Sequence, residues 1–126
     1  MSDKFTHTWH PAERIMEASL LGMWTVADVD QFYNTMREAI AAEVAGGTVR
    51  ILSDLSSYPV QQPDVADRHK DLLARVSQNP AIAAVAWVVA PGVIPSMQAN
   101  RSVRETDAPV RTFGTHAEAW AFLIAS

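Results

Sequence analysis

The 126-residue chain contains no cysteine. That excludes a disulfide framework, a thiolate nucleophile and a zinc–thiolate centre. Basic residues are in the minority, 10 Lys and Arg against 14 Asp and Glu, for a net charge of −4. This is the wrong balance for displacing counterions from nucleic acid, so no nucleic-acid partner is expected. A long apolar run is missing too. Residues 79–100 carry no charge, but Pro80, Pro91, Gly92 and Pro95 interrupt them, and the continuous apolar part is 81–90. Such a length suits a buried strand better than a membrane span. The opening MSDKFTHTWHP holds no apolar core of the kind a signal peptide needs, which predicts a soluble, cytoplasmic protein. There is no Gly-x-Ser-x-Gly and no His-Glu-x-x-His. Gly46-Gly47 precedes a strand, the reverse of the strand–loop–helix order of a phosphate loop. His7 and His10 are three apart in a strand and so face opposite ways. His69 falls within a helical stripe and His116 in the first turn of the last helix. The expectation is a non-enzyme with no catalytic residues, no metal and no cofactor.

Hydrophobic residues make up 48% of the chain, an ordinary globular share that argues against disorder. Residues 4–10 and 14–21 both alternate with period two, around a turn at Pro11-Ala12-Glu13, and predict an antiparallel pair of strands. Met16, Ala18 and Leu20 share one face; Ile15, Glu17 and Ser19 share the other. Thr25 with Asp28 reads as a helix cap. Val29, Phe32, Tyr33, Met36, Ile40 and Val44 then form one stripe on a helix that Gly46-Gly47 stops. Residues 48–55 predict a strand and 56–62 a loop. A helix over 63–77 opens on Pro63, with Val65, His69, Leu72, Leu73 and Val76 as its stripe. Residues 81–90, apolar on both faces, predict a strand covered on both sides, as in the middle of a sheet. A short helix over 95–105 and a strand over 109–113 follow. A second cap at Thr115 and Glu118 opens a last helix with the stripe Ala117, Trp120, Leu123 and Ile124. The fold class is α/β: a mixed five-stranded sheet with a two-stranded antiparallel start and a parallel βαβ core. About four helices accompany it, in the order ββαβαβαβα, as one domain over 1–126.

Several stretches carry a family resemblance. They are Gly22-Met23-Trp24-Thr25 with Asp28 opening a long helix, Val49-Arg50-Ile51-Leu52-Ser53-Asp54-Leu55, Ile82-Ala83-Ala84-Val85-Ala86, and Val110-Arg111-Thr112-Phe113 followed by Glu118-Ala119-Trp120-Ala121-Phe122-Leu123. With these the chain resembles the STAS superfamily, the fold of bacterial anti-sigma-factor antagonists, and within it the branch sharing features with the Sec14-like (CRAL-TRIO) lipid-transfer fold. The resemblance implies a binding or regulatory domain. Phospho-switched antagonists carry an Asp-Ser-Ser/Thr-Gly-type run with the serine at a helix N-terminus. Here the matching stretch is Asp54-Leu55-Ser56-Ser57-Tyr58-Pro59, without glycine and some six residues before the helix. A phosphate there would miss the helix N–H groups that favour it, so no phospho-switch serine is expected.

Two candidate sites follow. Asp54 ends an interior strand, where crevices form in open α/β sheets, and Ser56, Ser57 and Tyr58 would share its rim. The first reading is a protein-interaction or regulatory module that uses the loop 55–62 and the start of the following helix, with a homodimer among the assemblies it would allow. The alternative is a carrier or sensor of a small apolar or lipid-like ligand, with the 95–105 helix as lid, Met97 inward and Arg101 and Arg104 outward. Residues 1–67 hold four basic and ten acidic side chains, whereas 68–111 hold six basic and three acidic. Solvated helix faces account for that asymmetry; the sharper expectation is a weak anion- or membrane-facing patch, and the 95–105 helix could touch a membrane surface through Met97 with Arg101 and Arg104. An apolar cavity of roughly 300 Å³ or more lined by the 95–105 helix would favour the carrier. A filled core with an exposed apolar patch near Tyr58 would favour the module.

Overall fold

The computed structural model describes residues 4–43, 47–76, 78–89 and 110–126. β1 (Phe5–His10) and β2 (Ile15–Leu21) pair antiparallel, with Phe5 opposite Leu20 and His10 opposite Ile15. The turn between them puts Arg14 at φ +57, a conformation that costs a non-glycine residue about 1 kcal/mol or more. Its side chain offsets this. The guanidinium donates to the carbonyls of Glu43, Gly47 and Thr48 at 2.9, 3.2 and 2.9 Å and lies over Trp9. It thereby caps the end of α1 (Val26–Glu43), where carbonyls have no partner within the helix.

Thr25 and Asp28 form the expected cap. The Thr25 N–H donates to the Asp28 carboxylate at 2.8 Å, and the Asp28 N–H donates back to Thr25 Oγ1 at 3.2 Å. The helix then buries Val29, Phe32, Met36 and Ile40. β3 (Val49–Ser57) follows, then α2 (Pro63–Val76), which starts at the proline as expected, and β4 (Ile82–Val89). β5 (Val110–Phe113) and α3 (His116–Ile124) complete the described elements.

The strands lie in chain order, β1-β2-β3-β4-β5, with every pair after the first parallel. This is the expected mixed five-stranded sheet. Three helices are found among the described residues; the fourth expected helix, over 95–105, lies outside them.

Strand alternation divides the interior into two cores. Met16, Ala18, Leu20, Val49, Ile51, Val85, Trp87 and Val89 face α1 and α2. Ile15, Leu52, Ala84, Ala86 and Val88 face α3 through Ala119 and Leu123. β4 is therefore an interior strand buried on both faces, each large side chain contributing roughly 1.5–3 kcal/mol. The alanines on its second face leave room for α3.

Two expectations change. β3 runs to Ser57, two residues past the expected end at 55, because Leu21 of β2 pairs with Ser57. The buried face of α3 is Ala119 and Leu123 with Trp120 beside them, whereas Ala117 is exposed and Ile124 is 48% exposed. A helix covering a face of small side chains buries a narrow stripe, and those two residues fall outside it. Its cap also differs in detail: Thr115 Oγ1 accepts the Glu118 N–H and donates its own O–H to the Glu118 carboxylate. No helix among the described residues is long and apolar enough to cross a membrane.

Candidate binding edge at the ends of the central strands

The register of β2 against β3 slips near its end. Ser19 partners Asp54, but Leu21 partners Ser57, so β3 carries one extra residue. Such a bulge re-aims the side chains around it. Asp54 Oδ1 accepts the Ser56 backbone N–H at 2.9 Å and the Ser56 hydroxyl at 2.6 Å. Asp54 is half-exposed, and Ser56 and Ser57 are exposed. Asp54 partners Val88 across the sheet and so shares the α3 face. The Tyr58 N–H turns back to the Leu55 carbonyl at 3.0 Å.

Tyr58 does not join that rim. Its ring packs on the α1–α2 core, 5.2 Å from Trp24 and 5.7 Å from His69. Its hydroxyl lies 2.6 Å from His69 Nε2, while His69 Nδ1 lies 3.4 Å from the Tyr33 hydroxyl. Burial pushes both tyrosine hydroxyls well above their ordinary range, and Tyr33 and Asp28 push Tyr58 further. Burial also lowers His69 to about 4. A neutral imidazole between two protonated phenols is the consistent state. The sequence therefore groups four residues of which the structure brings together Asp54 and Ser56, leaves Ser57 beside them at the strand end, and turns Tyr58 inward. Met97, Arg101 and Arg104 lie outside the described residues.

Gln61 is the residue that sequence reasoning misses. It is 6% exposed. Its Oε1 accepts the Trp24 N–H at 2.8 Å, and its Nε2 donates to the Gly22 and Pro59 carbonyls at 3.0 and 2.9 Å. One side chain thus ties the β2–α1 turn to the β3–α2 loop. Gly22, at φ +71, makes the turn possible. On these two joined segments sit Leu21, Met23 and Val60, exposed by 40%, 48% and 40%. They are three of the four exposed large apolar side chains among the described residues. The sequence carried a faint sign of them: Leu21 breaks the alternation of β2, and Met23 belongs to no stripe.

A family model described as SpoIIAA-like matches residues 15–124. The chain belongs to the SpoIIAA-like family. That membership places it among the STAS, anti-sigma-factor-antagonist-type domains, as the resemblance implied. No curated protein matches it. In this SpoIIAA-like chain Ser56 and Ser57 are part of β3. The first turn of α2 is served by its own neighbours, the Gln62 carbonyl accepting the Ala66 N–H and Asp64 Oδ1 accepting the Val65 N–H. Among the described residues no three His, Asp or Glu side chains are placed to hold a metal ion. His10 and His116 do meet at the Glu17 carboxylate, at 2.9 and 3.0 Å, and pin the start of α3 to the β1–β2 pair.

Neither expectation is met in full. Exposed Leu21, Met23 and Val60 flank the Tyr58 loop, but the core beside them is not filled: a mostly apolar cleft of about 350 Å³ lies between α1 and α2, walled by those helices and by β3 and β4. The 95–105 helix expected to line a carrier's cavity lies outside the described residues. For the edge, Asp54→Ala is expected to lower the unfolding free energy by about 1 kcal/mol at most, since Asp54 and Ser56 both keep access to water. Urea unfolding measures this; a loss above about 3 kcal/mol would make the carboxylate a structural keystone instead.

Proposed function

We propose that the protein is a cytoplasmic, non-enzymatic docking domain that binds a protein partner through the edge formed by the β2–α1 turn and the β3–α2 loop. Leu21, Met23 and Val60 supply the apolar contact, and Asp54, Ser56 and Ser57 supply a polar rim. The observation that carries this reading is the exposure of three large apolar side chains on two segments that one buried glutamine holds together. Exposed apolar clusters with polar borders mark interaction sites. Family membership supports a binding or regulatory module. The serines lie in a strand, away from the helix N-terminus, which favours recognition without a phosphate. The net charge of −4 favours protein over nucleic acid.

A photo-crosslinking side chain at position 23, in cells, tests the proposal. The expected result is a discrete adduct with one other protein, absent when the crosslinker sits at Ala12 and lost when Val60→Asp is added. Ala12 is exposed in the β1–β2 turn, at the opposite end of β2. Equal adducts from both positions, or none from position 23, would overturn the reading. An adduct only with a second copy of this chain would replace the partner by a homodimer.

A further inference from the structure

The cleft between α1 and α2 makes no part of the docking edge. Met36 and Ile40 of α1 form one wall, Leu72 and Val76 of α2 the other, and Ile51 and Val85 of β3 and β4 the floor. Its volume of about 350 Å³ falls at the low end of small-molecule sites, which run from about 300 to 1,000 Å³. Such a space accepts one alkyl chain more readily than two.

Two arginines mark its opening. Arg37 of α1 and Arg75 of α2 both line the cleft and both are exposed, so they stand where it meets solvent. Neither forms an ion pair among the described residues; Arg37 donates to the Asn34 side-chain oxygen at 3.2 Å. Arg68, on the same helix as Arg75, is by contrast held by Asp30 at 2.6 Å. An apolar slot with two guanidiniums at its mouth that meet no carboxylate among the described residues is complementary to an apolar tail ending in an anion. The planar fork of arginine fits a carboxylate in particular.

We infer that the α1–α2 cleft of this protein binds a single-chain fatty carboxylate, tail inward between Met36, Ile40, Leu72 and Val76 and head group at Arg37 and Arg75. The inference is independent of the docking edge: the cleft is lined by residues of α1, α2, β3 and β4 that include none of Leu21, Met23, Asp54, Ser56, Ser57 and Val60, and either could fail alone.

Trp87 lines the cleft and gives it a fluorescent reporter. The experiment titrates the full chain with hexanoate, octanoate and decanoate below their micelle-forming concentrations, following tryptophan emission and heat together. The expected result is one-site saturation with affinity rising about fourfold for each added methylene. Arg37→Glu with Arg75→Glu, both at exposed positions, should weaken decanoate about tenfold and leave 1-decanol within about twofold. Ala41→Trp, at an exposed position on the cleft's lining, should weaken acid and alcohol alike. No saturable response to decanoate, or a response without chain-length dependence, would overturn the proposal. So would equal losses for acid and alcohol in the arginine variant. An emission change that follows protein concentration in place of decanoate would assign the cleft to a second copy of the chain. Binding seen only with phospholipid vesicles would assign it to a membrane surface.

Discussion

Between pH 7 and pH 4 the protein is expected to lose about 3 kcal/mol of unfolding free energy, and His69→Gln to remove most of that loss. His69 sits among Trp24, Tyr33 and Tyr58, at ring distances of 5.8, 5.7 and 5.7 Å. Its ring nitrogens face two phenols and no carboxylate. A proton added there gains no counter-charge, and burial lowers its pKa to about 4. In the unfolded chain the same imidazole takes its proton near the ordinary value of about 6.5. From pH 6.5 down to 4 the unfolded state therefore binds more protons than the folded one. Stability is whole above that window, falls through it at up to about 1.4 kcal/mol per pH unit, and levels off below it. The depressed Asp28 carboxylate, hydrogen-bonded by Lys4, acts in a separate window, giving up its contribution only as pH falls below its ordinary 3.8. Urea unfolding at pH 7, 5.5 and 4 for the parent and the glutamine variant measures the effect. Glutamine costs some packing at every pH, so the slope is the readout. Parallel slopes would mean that the buried imidazole is protonated in the fold.

How much of this was legible depends on how far each feature reaches beyond its own segment. β4 could be read from one stretch of chain. Its alternation of Val85, Trp87 and Val89 against Ala84, Ala86 and Val88 leaves no polar face for water, and the structure buries both. Thr25 and Asp28 cap within four residues, so they were legible as well. Tyr58 was not. A tyrosine among serines and prolines reads as a polar rim, and only Trp24 and His69, supplied by distant segments, draw its ring inward. The bulge that re-aims Asp54 and Ser56 is a property of β2 pairing with β3 and leaves no mark in β3 alone. The cleft is the same kind of case. The stripes of α1 and α2 each look complete, and the cleft exists only where the two helices meet over β3 and β4. The last helix shows the converse. Its apolar residues nearly encircle it, so the pattern offered several faces, and the alanines of β4 selected the one with Ala119 and Leu123.

Gln61→Ala is expected to cost about 3 kcal/mol, more than its polar loop suggests. Two turns, at residues 22–24 and 59–61, each leave backbone groups without a partner in the sheet or a helix. The Gln61 amide serves three of them at once, accepting from Trp24 and donating to Gly22 and Pro59. Alanine strands one N–H and two carbonyls. A buried unpaired N–H is the costlier, at about 1–3 kcal/mol, since a carbonyl has a second lone pair and two loops for water to approach by. Gln61→Glu separates bonding from packing. A carboxylate still accepts from Trp24 but meets two carbonyls with no proton to give, so at neutral pH it should be as damaging as alanine. Protonated at pH 4 to 5, it regains a donor and should recover part of the loss relative to the parent at the same pH. Both variants should also cut the crosslinking yield from position 23, because the turn bearing Met23 is no longer held against the loop bearing Val60. An alanine variant within about 0.5 kcal/mol of the parent by urea unfolding, with its crosslink intact, would show water taking the amide's place. The docking edge would then be held by Trp24 and Tyr58 packing against each other.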